Sequence, residues 1–226
     1  MKRRILLLRG VVVFFIASII TPPDDLAAQT ESGQDLVQYL FPSFSRSTII
    51  IKSGKMMNLM LNYNTVSEKL VFEQNGQYFD LANPEATVTA TIEKREFIPY
   101  ETYFLEVVIN DEISFYVRHK GELVVPGRPM GYGTTSQLTS SNYLSGVQTP
   151  SGYYNFKLPE GYTVKQTPLY YLRVGGDMHS FMGEKQFLRI FPDKDEALKQ
   201  FIRKNRIKFD KTGDMIRLVN YCNELN

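Results

Sequence analysis

Residues 69–81 read KLVFEQNGQYFDL. Two β-favouring runs, 69–74 and 77–81, flank Asn75-Gly76, and Asn-Gly is the strongest short hairpin signal because both residues accept the positive φ of a type I′ turn. The same pattern recurs on either side. Runs 48–52 and 55–63 are separated by Ser53-Gly54, and runs 103–109 and 113–119 flank Asn110-Asp111-Glu112. Residues 87–92 (TVTATI) alternate strictly, so a period of two sets Val88, Ala90 and Ile92 inward and three threonines outward. In 113–119 the inward parity of Ile113, Phe115 and Val117 continues to His119, which predicts a hydrogen-bonded histidine at a strand end. Many short strands at near-regular spacing predict an antiparallel meander closing into a small barrel or sandwich.

Toward the C-terminus the period changes. A strand is predicted over 153–158, and runs 169–174 and 178–182 are joined through Gly175-Gly176-Asp177. Pro192-Asp193 then opens a helix, with Asp193 and Glu196 spaced as a capping box and Leu198, Phe201 and Ile202 at helical spacing. A further helix follows Thr212, with Met215, Leu218, Val219 and Cys222 in one apolar stripe. The fold class is therefore α+β: mainly antiparallel β, with a C-terminal segment of two to three short helices packed on the sheet.

Between these regions lies different material. The 26 residues 127–152 hold five glycines, nine serines or threonines and two prolines, with Arg128 the only charge. Such a stretch cannot bury enough apolar surface to offset its ordering entropy, which predicts a flexible loop. The expected organisation is a leader (1–28), an antiparallel β region (29–126), the loop (127–152) and a hairpin with helices (153–226), the last packed on the β region as one domain.

The leader reading rests on Lys2, Arg3 and Arg4, then the apolar run 11–20 (VVVFFIASII), the breaker 21–25 (TPPDD) and Leu26-Ala27-Ala28 before Gln29. That order is a secretory signal peptide, with cleavage expected between Ala28 and Gln29. The apolar stretch from Ile5 to Ile20 is interrupted by Arg9 and Gly10 and is shorter than the ~20 residues a spanning helix needs. No cysteine lies near the cut, so the expected product is periplasmic or secreted, without a transmembrane segment after cleavage, and not a lipoprotein.

Export also changes the charge reading. The chain has 26 Lys+Arg and 24 Asp+Glu; the leader holds four of the bases and two of the acids, leaving 22 of each. A neutral mature chain lacks the net basic face that displaces counterions from nucleic acid, so nucleic acid is not an expected partner. Residues 29–152 carry nine bases and thirteen acids, and 153–226 the reverse excess. Halves that complement one another explain this. Cys222 is the only cysteine, so no intrachain disulfide forms, and a thiol on an apolar helix stripe is expected to be buried.

Motifs for catalysis are missing. His119, His179 and Cys222 show no metal-ligand spacing, and neither a Gly-x-Ser-x-Gly elbow, His-Glu-x-x-His nor a phosphate-binding Gly-rich loop occurs. No cofactor is implied. Two carboxylates held face to face hydrolyse glycosides, and Glu101, Glu106, Asp111 and Glu112 are the acids available for such a pair. Residues 199–211 (KQFIRKNRIKFDK) hold six bases and one acid. Arg203, Lys204 and Arg206 thus form a candidate docking patch for an anionic glycan, a lipid headgroup or an acidic protein, against the plainer account of bases favouring a helix C-terminal pole.

Two stretches carry a resemblance. The first is Tyr39-Leu-Phe-Pro-Ser-Phe44 with Asn62-Tyr63-Asn64 and Lys69-Leu-Val-Phe-Glu73; the second runs from Phe187-Leu-Arg-Ile-Phe-Pro-Asp-Lys194 to Leu218-Val-Asn-Tyr-Cys222. With the middle they resemble an uncharacterised group of exported proteins from Bacteroidota bacteria. The resemblance implies an envelope or secreted setting and a β-rich body with a helical tail, and no active site travels with it. The expected function is a non-catalytic binding module of the cell envelope; the alternative is a carboxylate-dependent hydrolase of envelope or external polysaccharide.

Overall fold

A computed structural model describes residues 36–81, 84–124, 128–130, 134–136, 158 and 161–225. The leader, the cleavage point at Ala28 and Gln29, most of the segment 127–152 and the strand expected over 153–158 lie outside these residues, apart from Leu158. Asp35–Asn226 make one compact unit.

The Asn75-Gly76 reading holds. Strands β3 (Lys69–Gln74) and β4 (Gln77–Asp80) pair antiparallel, with φ of 54° at Asn75 and 74° at Gly76. Before them come β1 (Ser45–Ile51) and β2 (Met56–Asn64), and after them β5 (Thr87–Ile92), β6 (Arg95–Tyr100), β7 (Tyr103–Ile109) and β8 (Ser114–Arg118). Two short strands, β9 (Gly121–Val124) and β12 (Thr163–Gln166), pair with each other, as do β10 (Arg128–Met130) and β11 (Thr134–Ser136). The last hairpin is β13 (Leu169–Val174) with β14 (Asp177–Phe181). Part of the stretch expected to be a loop is therefore a β-pair.

Among the described residues one antiparallel sheet has ten strands in the order β14-β13-β8-β7-β6-β5-β1-β2-β3-β4. Two meanders are thus joined side by side through β1 and β5. Of the two expected closures, the barrel does not form, because β4 and β14 remain the two edges and no ladder joins them, while the layered arrangement is compatible with a sandwich. The sheet curls instead, bringing β3 against β7 and stacking Tyr63 of β2 on Phe97 of β6 with ring centroids 5.7 Å apart. Between those layers Ile49, Leu61, Tyr63, Leu70, Ala90, Ile92, Phe97 and Phe104 form one core.

The inward face of β5 differs from strict alternation. Ile50 pairs with Thr89 but Ile51 with Thr87, so Val88 is the extra residue of a bulge. Ala90 and Ile92 are buried as expected, while the bulge turns Val88 out to 48% exposure and Thr87 in.

Three helices follow: α1 (Glu184–Leu188), α2 (Asp195–Asn205) and α3 (Thr212–Glu224). They cover β8, β13 and β14 over a second core that includes Phe115, Leu172, Phe181, Phe187, Leu198 and Leu218. The Asp193–Glu196 capping box does not form. Residues Pro192–Lys194 make a 3-10 turn, α2 starts at Asp195, and neither start has a side-chain cap. At its other end α2 closes through Arg206 in the left-handed region (φ 52°), with Arg206 N–H donating to Arg203 O and Ile207 N–H to Ile202 O. That Schellman geometry turns Ile207 inward and leaves Arg206 exposed.

The α3 stripe is buried as read: Met215, Leu218, Val219 and Cys222 have no exposed surface. Asn223 fastens the helix to β8, accepting from Ile113 N–H at 2.8 Å and donating to Ile113 O at 3.0 Å. Burial pushes the Cys222 thiol up to about 12. Cys222 in the folded protein is accordingly expected to resist a disulfide reagent at pH 8 and to react at an ordinary thiol rate once denatured. Full labelling before unfolding would contradict this placement.

Candidate functional site

One row of directly opposed residues crosses the inner face of the sheet: Met57, Ile49, Ala90, Phe97, Glu106, Val117, Tyr170 and Phe181. Seven of these eight are apolar or aromatic. Glu106 is the exception, and it is 9% exposed. A carboxylate there needs partners or it must take up a proton.

Glu106 has two partners, both supplied by neighbouring strands. Arg95, at the start of β6, reaches it with Nε to Oε1 at 2.5 Å and Nη2 to Oε2 at 2.6 Å. His119, one residue past β8, places Nε2 2.6 Å from Oε2. Burial alone would push the Glu106 carboxyl up, but the bonds and charges of Arg95 and His119 outweigh it and hold the group at about 2. The carboxylate is therefore ionised throughout the neutral range.

That fixes the histidine tautomer. An unprotonated Nε2 would set a lone pair against a carboxylate at 2.6 Å, so Nε2 carries the proton and donates it to Glu106. Arg95 Nη2 lies 3.1 Å from the same nitrogen and donates one of its two N–H groups to the carboxylate. In the neutral ring Nδ1 then holds the lone pair, and it has no partner among the described residues. Aromatic rings pack around the group: the Arg95 guanidinium lies 5.0 Å from the Phe41 ring centroid, and His119 meets Tyr63 edge-on at 6.1 Å.

A second ion pair ties down the adjoining end of the sheet. Glu68, in the β2–β3 turn, accepts from both Nε and Nη2 of Arg118, the latter at 2.9 Å. The Arg118 guanidinium lies 3.6 Å from the Tyr103 ring centroid, and Tyr103 and Tyr171 share a hydroxyl bond at 3.1 Å. Gly121 completes the join: its N–H donates to Thr65 O at 2.8 Å, and a Cβ there would come within 2.5 Å of both the Thr65 hydroxyl and Val164. Only glycine allows that approach.

His119 also lines a half-open cavity of about 250 Å³ with Tyr39, Leu40, Gln166, Pro168 and Thr212. Five parts of the chain meet there: the segment before β1, the end of β8, the end of β12, the residue before β13 and the first residue of α3. Gln166 is set by donating to Thr65 Oγ1 at 3.2 Å, and Thr212 by its hydroxyl contact with Tyr170 at 3.1 Å. Asn62 holds the remaining wall, bonding Phe41 N–H, Phe41 O and Ser43 O. A larger groove of about 780 Å³ runs between α1 and α2, with Leu188 and Pro192 among charged residues.

No protein-family model matches this chain, and no curated protein or solved structure is detectably similar to it.

Of the four acids weighed for a catalytic pair, only the sequence neighbours Asp111 and Glu112 come together, on an exposed turn. Glu101 stands in the β6–β7 turn, and Asp111 and Glu112 in the β7–β8 turn, exposed at opposite ends of seven-residue β7 and so roughly 20 Å apart. Glu106 lies between them and is held by Arg95 and His119. Arg203, Lys204 and Arg206 are all exposed at the C-terminal pole of α2, and none of them lines the His119 cavity. No group of three or more His, Cys, Asp or Glu among the described residues is placed to hold a metal, and no described helix is long and apolar enough to cross a membrane.

The sequence placed His119 inward at a strand end, and its bond to Glu106 agrees with that. Arg95 and the cavity walls were missed. The available signal was parity: Glu106 alternates with Phe104 and Val108 along β7, an acid on the inward side of a strand.

Proposed function

We propose that the protein is exported and acts in the periplasm or outside the cell as a non-catalytic binding module of the cell envelope, meeting a protein, glycan or lipid component there. The address rests on the leader and on the resemblance to exported Bacteroidota proteins. One observation carries the non-catalytic reading. Among the weighed acids, the buried carboxylate is locked as an anion by Arg95 and His119, while Glu101 stands at the far end of β7 from Asp111 and Glu112, which are neighbours on an exposed turn rather than across a cleft. A glycosidase pair stands ~5–10 Å apart, and one member must hold a proton at working pH.

The exposed bases Arg203, Lys204 and Arg206 make no ion pair among the described residues, which suits them to an anionic partner. Replacing all three with Glu is expected to lower retention of the protein on isolated envelope material by tenfold or more at physiological salt, and unaltered retention would remove the patch from the docking surface. If the unmutated protein is not retained at all, the binding reading itself fails.

A further inference from the structure

The His119 cavity is chemically specific, and three features describe what fits it. The first is size. At about 250 Å³ it falls below the roughly 300 Å³ where pockets for drug-sized ligands begin, so it admits one ring-sized molecule or one residue at a chain end. The second is charge. None of the described residues lining it is Asp, Glu, Lys or Arg, and the nearby Arg95 and Glu106 neutralise one another. A charged ligand would leave water and find no counter-ion at the wall.

The third is the pattern of polar groups. His119 lines the cavity with a ring fixed by its Nε2 bond to Glu106, and its Nδ1 has no partner among the described residues. Gln166 keeps its amide oxygen and one N–H after its bond to Thr65, and Thr212 adds a hydroxyl. Leu40, Pro168 and the Tyr39 ring add apolar surface to the lining. A lining that mixes uncharged polar groups with apolar surface matches a ring bearing several hydroxyls. It does not match a flat apolar ligand, which would strand those polar groups unpaired.

We propose that this cavity binds one neutral, hydroxyl-bearing sugar residue, with His119, Gln166 and Thr212 as its polar contacts. This rests on the binding-module reading and names a ligand class for it. The same chemistry is available from a free monosaccharide or from the terminal residue of a glycan.

Calorimetric or ligand-observed NMR titration of the protein with neutral hexoses and N-acetylhexosamines, with the corresponding uronic acids and with short oligosaccharides of the same sugars tests it. Saturable binding of a neutral sugar, weaker binding of its uronic acid, about fivefold loss in Gln166→Ala and abolition in Leu40→Trp (which fills the cavity) are expected, with Arg203→Glu unchanged. The fivefold figure is that of one neutral hydrogen bond. Tighter binding of oligosaccharides than of monosaccharides assigns the site to a chain end, and equal binding to free sugar. Preference for the uronic acid, or binding that survives Leu40→Trp in a variant that melts like the parent, overturns the proposal. So does no binding of any neutral sugar up to 50 mM, roughly the weak limit of useful recognition. If retention on envelope material persists in that last case, the cavity assignment fails and the binding-module reading stands.

Discussion

Glu106→Gln is expected to cost about 2–3 kcal/mol of folding stability, below the ~3–5 kcal/mol of a fully buried pair because the Arg95 side chain is 34% exposed, out of a total that for single domains is typically about 5–15 kcal/mol. The substitution keeps the shape but removes the only anion from the apolar row, leaving the Arg95 guanidinium and His119 without their shared counter-charge. Removing one partner of such a pair costs more than the whole pair is worth, because the remaining Arg95 charge loses its counter-ion where water reaches it only in part. Replacing Arg95, Glu106 and His119 together with apolar residues of similar volume should therefore recover much of the loss. Urea unfolding of the parent, the single variant and the triple variant measures this, and a single-variant loss below ~1 kcal/mol would contradict the account of the cluster.

The same group sets an acid dependence with a definite sign. Folding lowers the Glu106 pKa from 4.5 to about 2, so at low pH the unfolded chain takes up the proton first. The stabilisation, up to about 3 kcal/mol, is complete above about pH 5 and is lost as pH falls through 4.5 toward 2. Glu106→Gln should flatten that part of the stability profile.

Asn62→Ala is expected to cost about 2–4 kcal/mol and to loosen one wall of the cavity. The Asn62 side chain is fully buried. Its amide accepts from Phe41 N–H at 3.1 Å and donates to Phe41 O at 2.9 Å and Ser43 O at 3.2 Å, standing in for a strand that the segment before β1 does not have. Truncation leaves the Phe41 N–H and C=O buried without this partner and opens a space where the amide was. Because Tyr39 and Leu40 line the cavity, sugar binding should weaken along with stability. Hydrogen exchange at the Phe41 amide gives the local reading: exchange through local opening is expected in the variant, and parent-like protection would show that the clamp does not hold this segment.

How much was legible follows from what each signal encodes. Turns with Asn-Gly or Gly-Gly could be read because positive φ is cheap only there, and both hairpins formed, with φ of 58° and 96° at Gly175 and Gly176. The β5–β6 turn uses the same left-handed geometry with Glu93 and Lys94, at φ 47° and 70°, and carries no such mark. For that reason β6 went unread, helped by Pro99 within it, and Arg95 with it. The α3 stripe was legible because a helix's buried face is written in its own spacing. The cluster was not, because parity along one strand says which side a residue faces but not which residue of the next strand stands opposite. Arg95, Glu106 and His119 meet only through the registers of β6, β7 and β8. The open sheet was equally invisible, since a meander pattern does not say whether its edges meet.

The central claim, a binding module rather than a hydrolase, is tested most directly by one pelleting assay. The purified protein is mixed with isolated, insoluble envelope polysaccharide, and both the protein in the pellet and new reducing ends in the supernatant are counted over time. The account predicts protein retained in the pellet with no reducing ends above the protein-free control. Reducing ends that rise with time and in proportion to added protein would contradict it.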